Sequence, residues 1–161
     1  MGAKLIKNEF LQKRYILDNQ FLRSKGEQWI RLRDEGDKIT MTYKTIDRLT
    51  VDGAKEIEVA IDNLENTKDL LIKTGLKGVT FQENYREIWE VKKCTLTIDS
   101  WPMIDPILEI ESDNEENVWI VLTLMGYDKK DCMFGNIRDV YKTYGIELHE
   151  IETLSFNSNV S

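Results

Sequence analysis

The hairpin predicted over residues 28–44 constrains most strongly how this chain can fold. Residues of one parity include the cations Arg31, Arg33 and Lys44, whereas the other parity is apolar, and residues 34–37 form a turn of acidic residues and glycine. Because successive side chains of a strand point to opposite faces of a sheet, this hairpin has one apolar and one basic face. The pattern predicts an antiparallel sheet with only its apolar face packed against other elements.

The same period of two recurs further along the chain, but there the charged parity is acidic. It carries Glu56 and Glu58 on one predicted strand, Asp99 at the end of another, and Glu109 and Glu111 on a third. Two amphipathic segments predict helices, one over about 63–73 with Asp62 or Asn63 as its N-cap and one ending at Gly126. Two further strand-like segments are predicted over about 79–85 and 86–99. Strands and helices together predict an α+β fold.

Two interpretations of these charged faces remain open. They are either the water-facing side of an antiparallel sheet, or the lining of a β-barrel whose apolar parity points outward beneath the helices. In a barrel, charges of both signs would converge, which costs several kcal/mol each unless they pair or bind ions. A polyphosphate carrying Mg²⁺ or Mn²⁺ would satisfy both signs, because arginine and lysine bind phosphate oxygens and carboxylates bind hard cations.

Composition and motifs exclude several other functions. The chain has 161 residues and a net charge of −7, which favours one domain over 1–161 and argues against binding a nucleic-acid polymer. It contains neither a membrane-length apolar run nor a signal peptide, so we expect a cytoplasmic protein without a membrane partner. Cys94 and Cys132 form no metal pattern, and no phosphate-binding glycine motif occurs.

Three strings of the sequence, in this order, carry a family resemblance: WIRLRDEGDKITMTYK, KEIEV and CTLTIDSWPMIDPILEIES. Together they resemble the CYTH superfamily, the triphosphate-tunnel group of class IV adenylate cyclases and thiamine triphosphatase-like enzymes. The resemblance spans roughly Gly2 to Phe156. It implies an eight-stranded antiparallel β-barrel of the triphosphate-tunnel type with flanking helices. The expected ligand is ATP or a similar small triphosphate with Mg²⁺ or Mn²⁺.

The resemblance also implies roles for individual residues. The implied phosphate contacts are Arg31, Arg33, Lys44 and Arg86. The implied metal ligands, or supports of such ligands, are Asp99, Glu109 and Glu111. Glu56 and Glu58 match an acidic strand that balances charge. For each of these residues the alternative is an ion pair that stabilises the tunnel wall.

One family motif is missing from the sequence. CYTH proteins begin with an ExExK strand, whereas MGAKLIKNEF contains only Glu9, so we expect a domain that lacks its first strand and helix. The resulting open sheet edge favours a homodimer. The resemblance leaves two hypotheses, with no catalytic residue assigned: an enzyme that cyclises ATP or hydrolyses a triphosphate, or a non-catalytic polyphosphate or nucleotide binder.

Overall fold

A computed structural model describes residues 2–24, 27–46 and 54–157 of the chain. The strands are β1 (Lys4–Leu17), β2 (Glu27–Asp34), β3 (Ile39–Ile46), β4 (Ala54–Ile61), β5 (Thr80–Val91), β6 (Cys94–Ser100), β7 (Ile107–Glu111) and β8 (Thr153–Leu154). The helices are α1 (Gln20–Ser24), α2 (Leu64–Lys73), α3 (Glu115–Leu124) and α4 (Ile137–Thr143), with short 3-10 turns at Lys129–Asp131 and Leu148–Glu150. Within these described residues no helix is both long and apolar enough to cross a membrane.

All eight strands belong to one sheet, and this confirms the predicted α+β class with a mostly antiparallel sheet. The hydrogen-bonded order is β4-β3-β2-β1-β5-β6-β7, and the short β8 pairs in parallel with β5. β4 and β7 are the two ends of this order. Among the described residues, hydrogen bonding therefore leaves the sheet open and does not close it into a barrel.

The chain divides into two compact units, each built from two separate stretches. The first comprises Met1–Phe10 and Asn84–Glu150, and the second comprises Leu11–Glu83 and Ile151–Ser161. The prediction of a single domain is not tested by this division. The two units are described separately below.

The second unit contains the predicted hairpin as β2 and β3. Its register pairs Arg33 with Thr40 and Arg31 with Thr42. The turn is held by Asp34, whose Oδ1 accepts a hydrogen bond from the backbone N–H of Gly36 at 2.8 Å. Gly36 has a φ of 84°, a left-handed conformation that glycine adopts without steric cost.

Helix α2 packs against the apolar face of this unit. Asn63, one of the two caps that the sequence predicts, caps the helix by accepting a hydrogen bond from the N–H of Asn66. Leu64 of α2 then joins Leu17 of β1 and Leu32 of β2 in a buried cluster. Burial of the apolar parity leaves the charged parity of β2 and β3 on the other face.

The first unit repeats this arrangement with β5, β6 and α3. Val121 of α3 is fully buried and clusters with Val91, Cys94 and Leu96 from the strands. In β6 the buried side changes along the strand: Cys94 and Leu96 are buried near its start, whereas Asp99 is buried and the apolar Ile98 is 42% exposed near its end. Asp99 pairs in register with Arg86 of β5.

Some boundaries predicted from the sequence were wrong. We expected the chain to break between Tyr85 and Arg86, but β5 runs through both residues and turns at Lys92 and Lys93. Both lysines have positive φ, 47° and 63°, in a two-residue hairpin turn that usually contains glycine or asparagine. The sequence does not predict this turn, because neither lysine is a residue that such turns usually contain.

Candidate functional site

The second unit presents a charged face on β2, β3 and β4. The strand registers place its side chains in rows: Arg33 beside Thr40, then Arg31 beside Thr42 and Glu58, and then Trp29 beside Lys44 and Glu56. The side chains of Arg31, Arg33 and Lys44 are only 13%, 14% and 20% exposed. The structure therefore brings together these three predicted phosphate contacts and both predicted charge-balancing glutamates.

Glu58 is shared between the two arginines of this face. Its Oε2 lies 3.9 Å from an Nη2 of Arg31 and 3.9 Å from the Nη2 of Arg33, and it accepts a 2.8 Å hydrogen bond from the Thr42 hydroxyl. The hydrogen bond from Thr42, together with the arginine charges, lowers the pKa of Glu58 against the opposing effect of burial. Glu58 is therefore an anion that partly neutralises two cations at long range.

Lys44 forms an ion pair with Glu56 across β3 and β4. Burial lowers the pKa of Lys44, and the nearby Arg31 charge acts in the same direction, while Glu56 opposes both. The lowered pKa means that burial and the Arg31 charge disfavour the ammonium form of Lys44 more than Glu56 favours it.

The charged face continues onto β1 with residues that the sequence interpretation left out of the site. Arg14, which is 8% exposed, pairs in register with Arg33, and its Nη2 donates a 2.8 Å hydrogen bond to Oε1 of Gln12. Gln12 in turn donates to Oε1 of Glu35 at 2.7 Å, and Glu35 also lies 3.3 Å from Arg33 Nε and from Lys38 Nζ. The sequence of β1 does indicate that these residues belong to the charged face, because Gln12 and Arg14 share one face of the strand and Tyr15, which packs against the core, lies on the other.

Basic side chains are concentrated on this face. The cations are Arg14, Arg31, Arg33, Lys38 and Lys44, and the carboxylates that the contacts above connect to them are Glu35, Glu56 and Glu58. Five cations thus lie close together on one sheet face of a chain whose net charge is −7. Such a face attracts anions although the protein as a whole is acidic.

In the first unit, Arg86 is held by carboxylates. Its Nε donates to Oδ1 of Asp99 at 2.7 Å, its Nη2 donates to Oδ2 of the same carboxylate, and its Nη2 also lies 3.1 Å from Oε2 of Glu109. Asp99 is 2% exposed and accepts a further 3.3 Å hydrogen bond from Asn84. Burial acts to lower the pKa of Arg86, but Asp99, Glu109 and Glu111 raise it overall.

The predicted metal-binding residues of this unit differ in what they contact. Both oxygens of Asp99 accept hydrogen bonds from Arg86, which suits a support better than a ligand. Glu109 and Glu111 lie two residues apart on β7, opposite Thr97 and Thr95. Within residues 2–24, 27–46 and 54–157, no group of three or more acidic, histidine or cysteine side chains is arranged to hold a metal ion. Their metal-binding roles stay predictions.

Comparison with known proteins identifies the family. The CYTH domain model matches residues 1–124 of the chain. A protein of Methanocaldococcus jannaschii named "Putative adenylate cyclase" is 26% identical over 160 residues, which cover 97% of this chain and 84% of that protein.

Solved structures share the fold at low sequence identity. A structure from Vibrio parahaemolyticus, described as a "putative adenylate cyclase", superposes with a TM-score of 0.70 at 13% identity, covering 88% of this chain and 86% of the other. A Bacillus halodurans structure with the same description has a TM-score of 0.60 at 17% identity and covers 88% of this chain and 99% of the other. At these identities the likeness concerns the fold alone.

Proposed function

Because the chain belongs to the CYTH family, we propose that it binds a small triphosphate, ATP or a similar molecule, on the charged face of β2, β3 and β4. The observation that carries this proposal is the close grouping of three largely buried cations, Arg31, Arg33 and Lys44, on one face. Buried like charges are costly unless anions neutralise them. Phosphate oxygens suit arginine and lysine, since each hydrogen bond joins opposite charges.

Two carboxylates of the first unit are suited to hold a divalent cation. Magnesium is usually held by one or two carboxylates together with substrate phosphates, and seldom by a cage of protein ligands alone. Glu109 and Glu111 are two carboxylates on one face of β7 and fit that description, although Oε2 of Glu109 also accepts hydrogen bonds from Arg86 and Thr97. Both oxygens of Asp99 are engaged by Arg86. We place the proposed Mg²⁺ or Mn²⁺ ion at Glu109 and Glu111.

The proposed activity is the processing of a triphosphate, and the relative's name points to cyclisation of ATP. ATP could be cyclised to cAMP with release of pyrophosphate, or a triphosphate could be hydrolysed, and the two reactions differ in whether a ribose hydroxyl or water attacks. In either case the contribution of Arg31, Arg33 and Lys44 is to orient the phosphates and stabilise their charge. The alternative is a protein that binds polyphosphate or nucleotide without turnover.

The remaining expectations stay predictions. They are the cytoplasmic location, the absence of a nucleic-acid or membrane partner, and the homodimer. Size-exclusion chromatography with light scattering tests the homodimer directly.

Isothermal titration calorimetry tests the proposal. The full chain is titrated with ATP and with inorganic tripolyphosphate, each with and without Mg²⁺ or Mn²⁺, and assays for cAMP and inorganic phosphate run in parallel. We expect binding by the unmodified protein and at least about a tenfold loss in the double variant Arg31→Ala/Arg33→Ala, since each charged hydrogen bond contributes about 1.5–3 kcal/mol.

The matched control is Arg138→Ala/Lys142→Ala, which removes the same charge from exposed positions of α4. It should bind almost as the unmodified protein does. Equal losses in the two double variants would show that only net charge matters and would contradict a site on β2–β4. Binding without cAMP or phosphate release would favour the non-catalytic alternative.

A further inference from the structure

We propose that Arg14 and Thr40, on either side of Arg33, are further phosphate-binding residues of this chain, with Gln12 hydrogen-bonded to Arg14 and Glu35 paired with Arg33. The inference rests on the proposed function, because it extends the same charged face by one row toward the β2–β3 turn. Phosphoryl oxygens are the proposed ligand of this row, which consists of Arg14, Arg33 and Thr40.

The strand registers place the three residues side by side. Arg14 on β1 pairs with Arg33 on β2, and Arg33 pairs with Thr40 on β3. Directly opposite residues of antiparallel strands have Cβ atoms about 4.5–5.5 Å apart. The row therefore presents two guanidinium groups and one hydroxyl within reach of a single phosphoryl group.

The two arginines of this row are like charges held close together in a buried setting. Arg14 is 8% exposed, and the side chain of Arg33 is 14% exposed. Like charges directly opposite each other destabilise a sheet. Glu35 offsets part of this repulsion, since it lies 3.3 Å from Arg33 and is linked to Arg14 through Gln12. Glu35 is therefore shared by Arg33 and Lys38 and, through Gln12, by Arg14, and a phosphate would bring further negative charge beside the two arginines.

Thr40 supplies an independent observation. The residue is 5% exposed, and its hydroxyl has no hydrogen-bond partner among the residues that the structure describes. A buried hydroxyl without a partner carries an unfavourable desolvation cost, and it is able to donate to a ligand. Thr42, one row away on the same strand face, is fully buried but donates to Glu58 at 2.8 Å. Two threonines in the same sheet setting thus differ in whether the protein itself satisfies them.

The difference between Thr40 and Thr42 is tested by removing each hydroxyl separately. Threonine and valine have nearly the same shape, so Thr40→Val and Thr42→Val each remove one hydroxyl with little change of volume. Tripolyphosphate affinity is measured by titration calorimetry for the unmodified protein, Thr40→Val, Arg14→Met and Arg31→Ala/Arg33→Ala. Thermal unfolding without ligand is measured for both threonine variants.

We expect Thr40→Val to bind tripolyphosphate about tenfold more weakly. Its ligand-free unfolding temperature should be unchanged or higher, because the lost hydroxyl made no bond. Thr42→Val should unfold at a lower temperature, because Glu58 loses a donor. Arg14→Met should weaken tripolyphosphate binding by about tenfold or more. If Arg14→Met does not fold, Thr40→Val alone decides.

Two results would overturn the inference, and they are distinguishable. If Thr40→Val and a folded Arg14→Met bind as tightly as the unmodified protein while Arg31→Ala/Arg33→Ala loses binding, the row is structural and the proposed function stands. If the unmodified protein does not bind tripolyphosphate at all, the inference and the proposed function fail together.

Discussion

The two units contain the same kinds of charged residue but arrange them differently. In the first unit, Arg86 is neutralised by a bidentate contact with the buried Asp99 and by Glu109 at 3.1 Å. In the second, Glu58 lies 3.9 Å from both Arg31 and Arg33, and Glu35 lies 3.3 Å from Arg33. Identical residue types therefore form an internally satisfied ion cluster in one place and a candidate anion site in the other.

The largest effect is expected in the free energy of unfolding when one carboxylate of each unit is replaced. Asp99→Asn should lower the free energy of unfolding by about 3 kcal/mol, because it leaves the buried Arg86 without its charged partner. Glu58→Gln, the matched change in the other unit, should cost less than about 1 kcal/mol, since that carboxylate is more exposed and its ion pairs are long. Urea denaturation of both variants measures the difference.

Similar losses in the two variants would remove the contrast, because Glu58 would then neutralise its arginines as fully as Asp99 neutralises Arg86. A small loss for Asp99→Asn alone would mean that Glu109 suffices to hold Arg86.

A smaller effect is expected in the affinity of the second unit for tripolyphosphate. If Glu58 competes with a bound anion for Arg31 and Arg33, Glu58→Gln should bind tripolyphosphate about threefold to tenfold more tightly at low salt, since a unit charge a few ångströms away is worth about 1 kcal/mol. Glu116→Gln, an exposed position on α3, makes the same change in net charge. Calorimetric titration should show almost no gain in this control, and an equal gain would assign the effect to net charge.

The smallest effect is a proton taken up on binding. Burial lowers the pKa of Lys44 below 10.5 in the free protein. A polyphosphate beside it would raise that pKa, because negative charge favours the ammonium form. Between the free and the bound pKa, the complex holds more protons than the free protein, so affinity should fall as the pH rises through this interval.

Calorimetry at alkaline pH in two buffers of different ionisation enthalpy measures this uptake. Lys44→Met should abolish it. An unchanged uptake in Lys44→Met would place the titrating group elsewhere.

Much of the local structure could be predicted because it depends on neighbouring residues. The turn at residues 34–37, the Asn63 cap of α2 and the parity of β2 and β3 are confirmed, and each is encoded within a few positions of sequence. The family could also be predicted, because three charged strings occur in the expected order. The turn at Lys92 and Lys93 could not, since neither residue is one that such turns usually require.

The alternation of apolar and polar residues follows from the sequence alone. This alternation fixes which side chains share a face of each strand. Tertiary structure decided which of those side chains become partners. Arg14 joins Arg33 only through the register of β1 with β2, and Thr40 differs from Thr42 only because Glu58 lies opposite the latter on β4. Alternation is a local property of the chain with a period of two residues, whereas partners across strands depend on which distant segments pair.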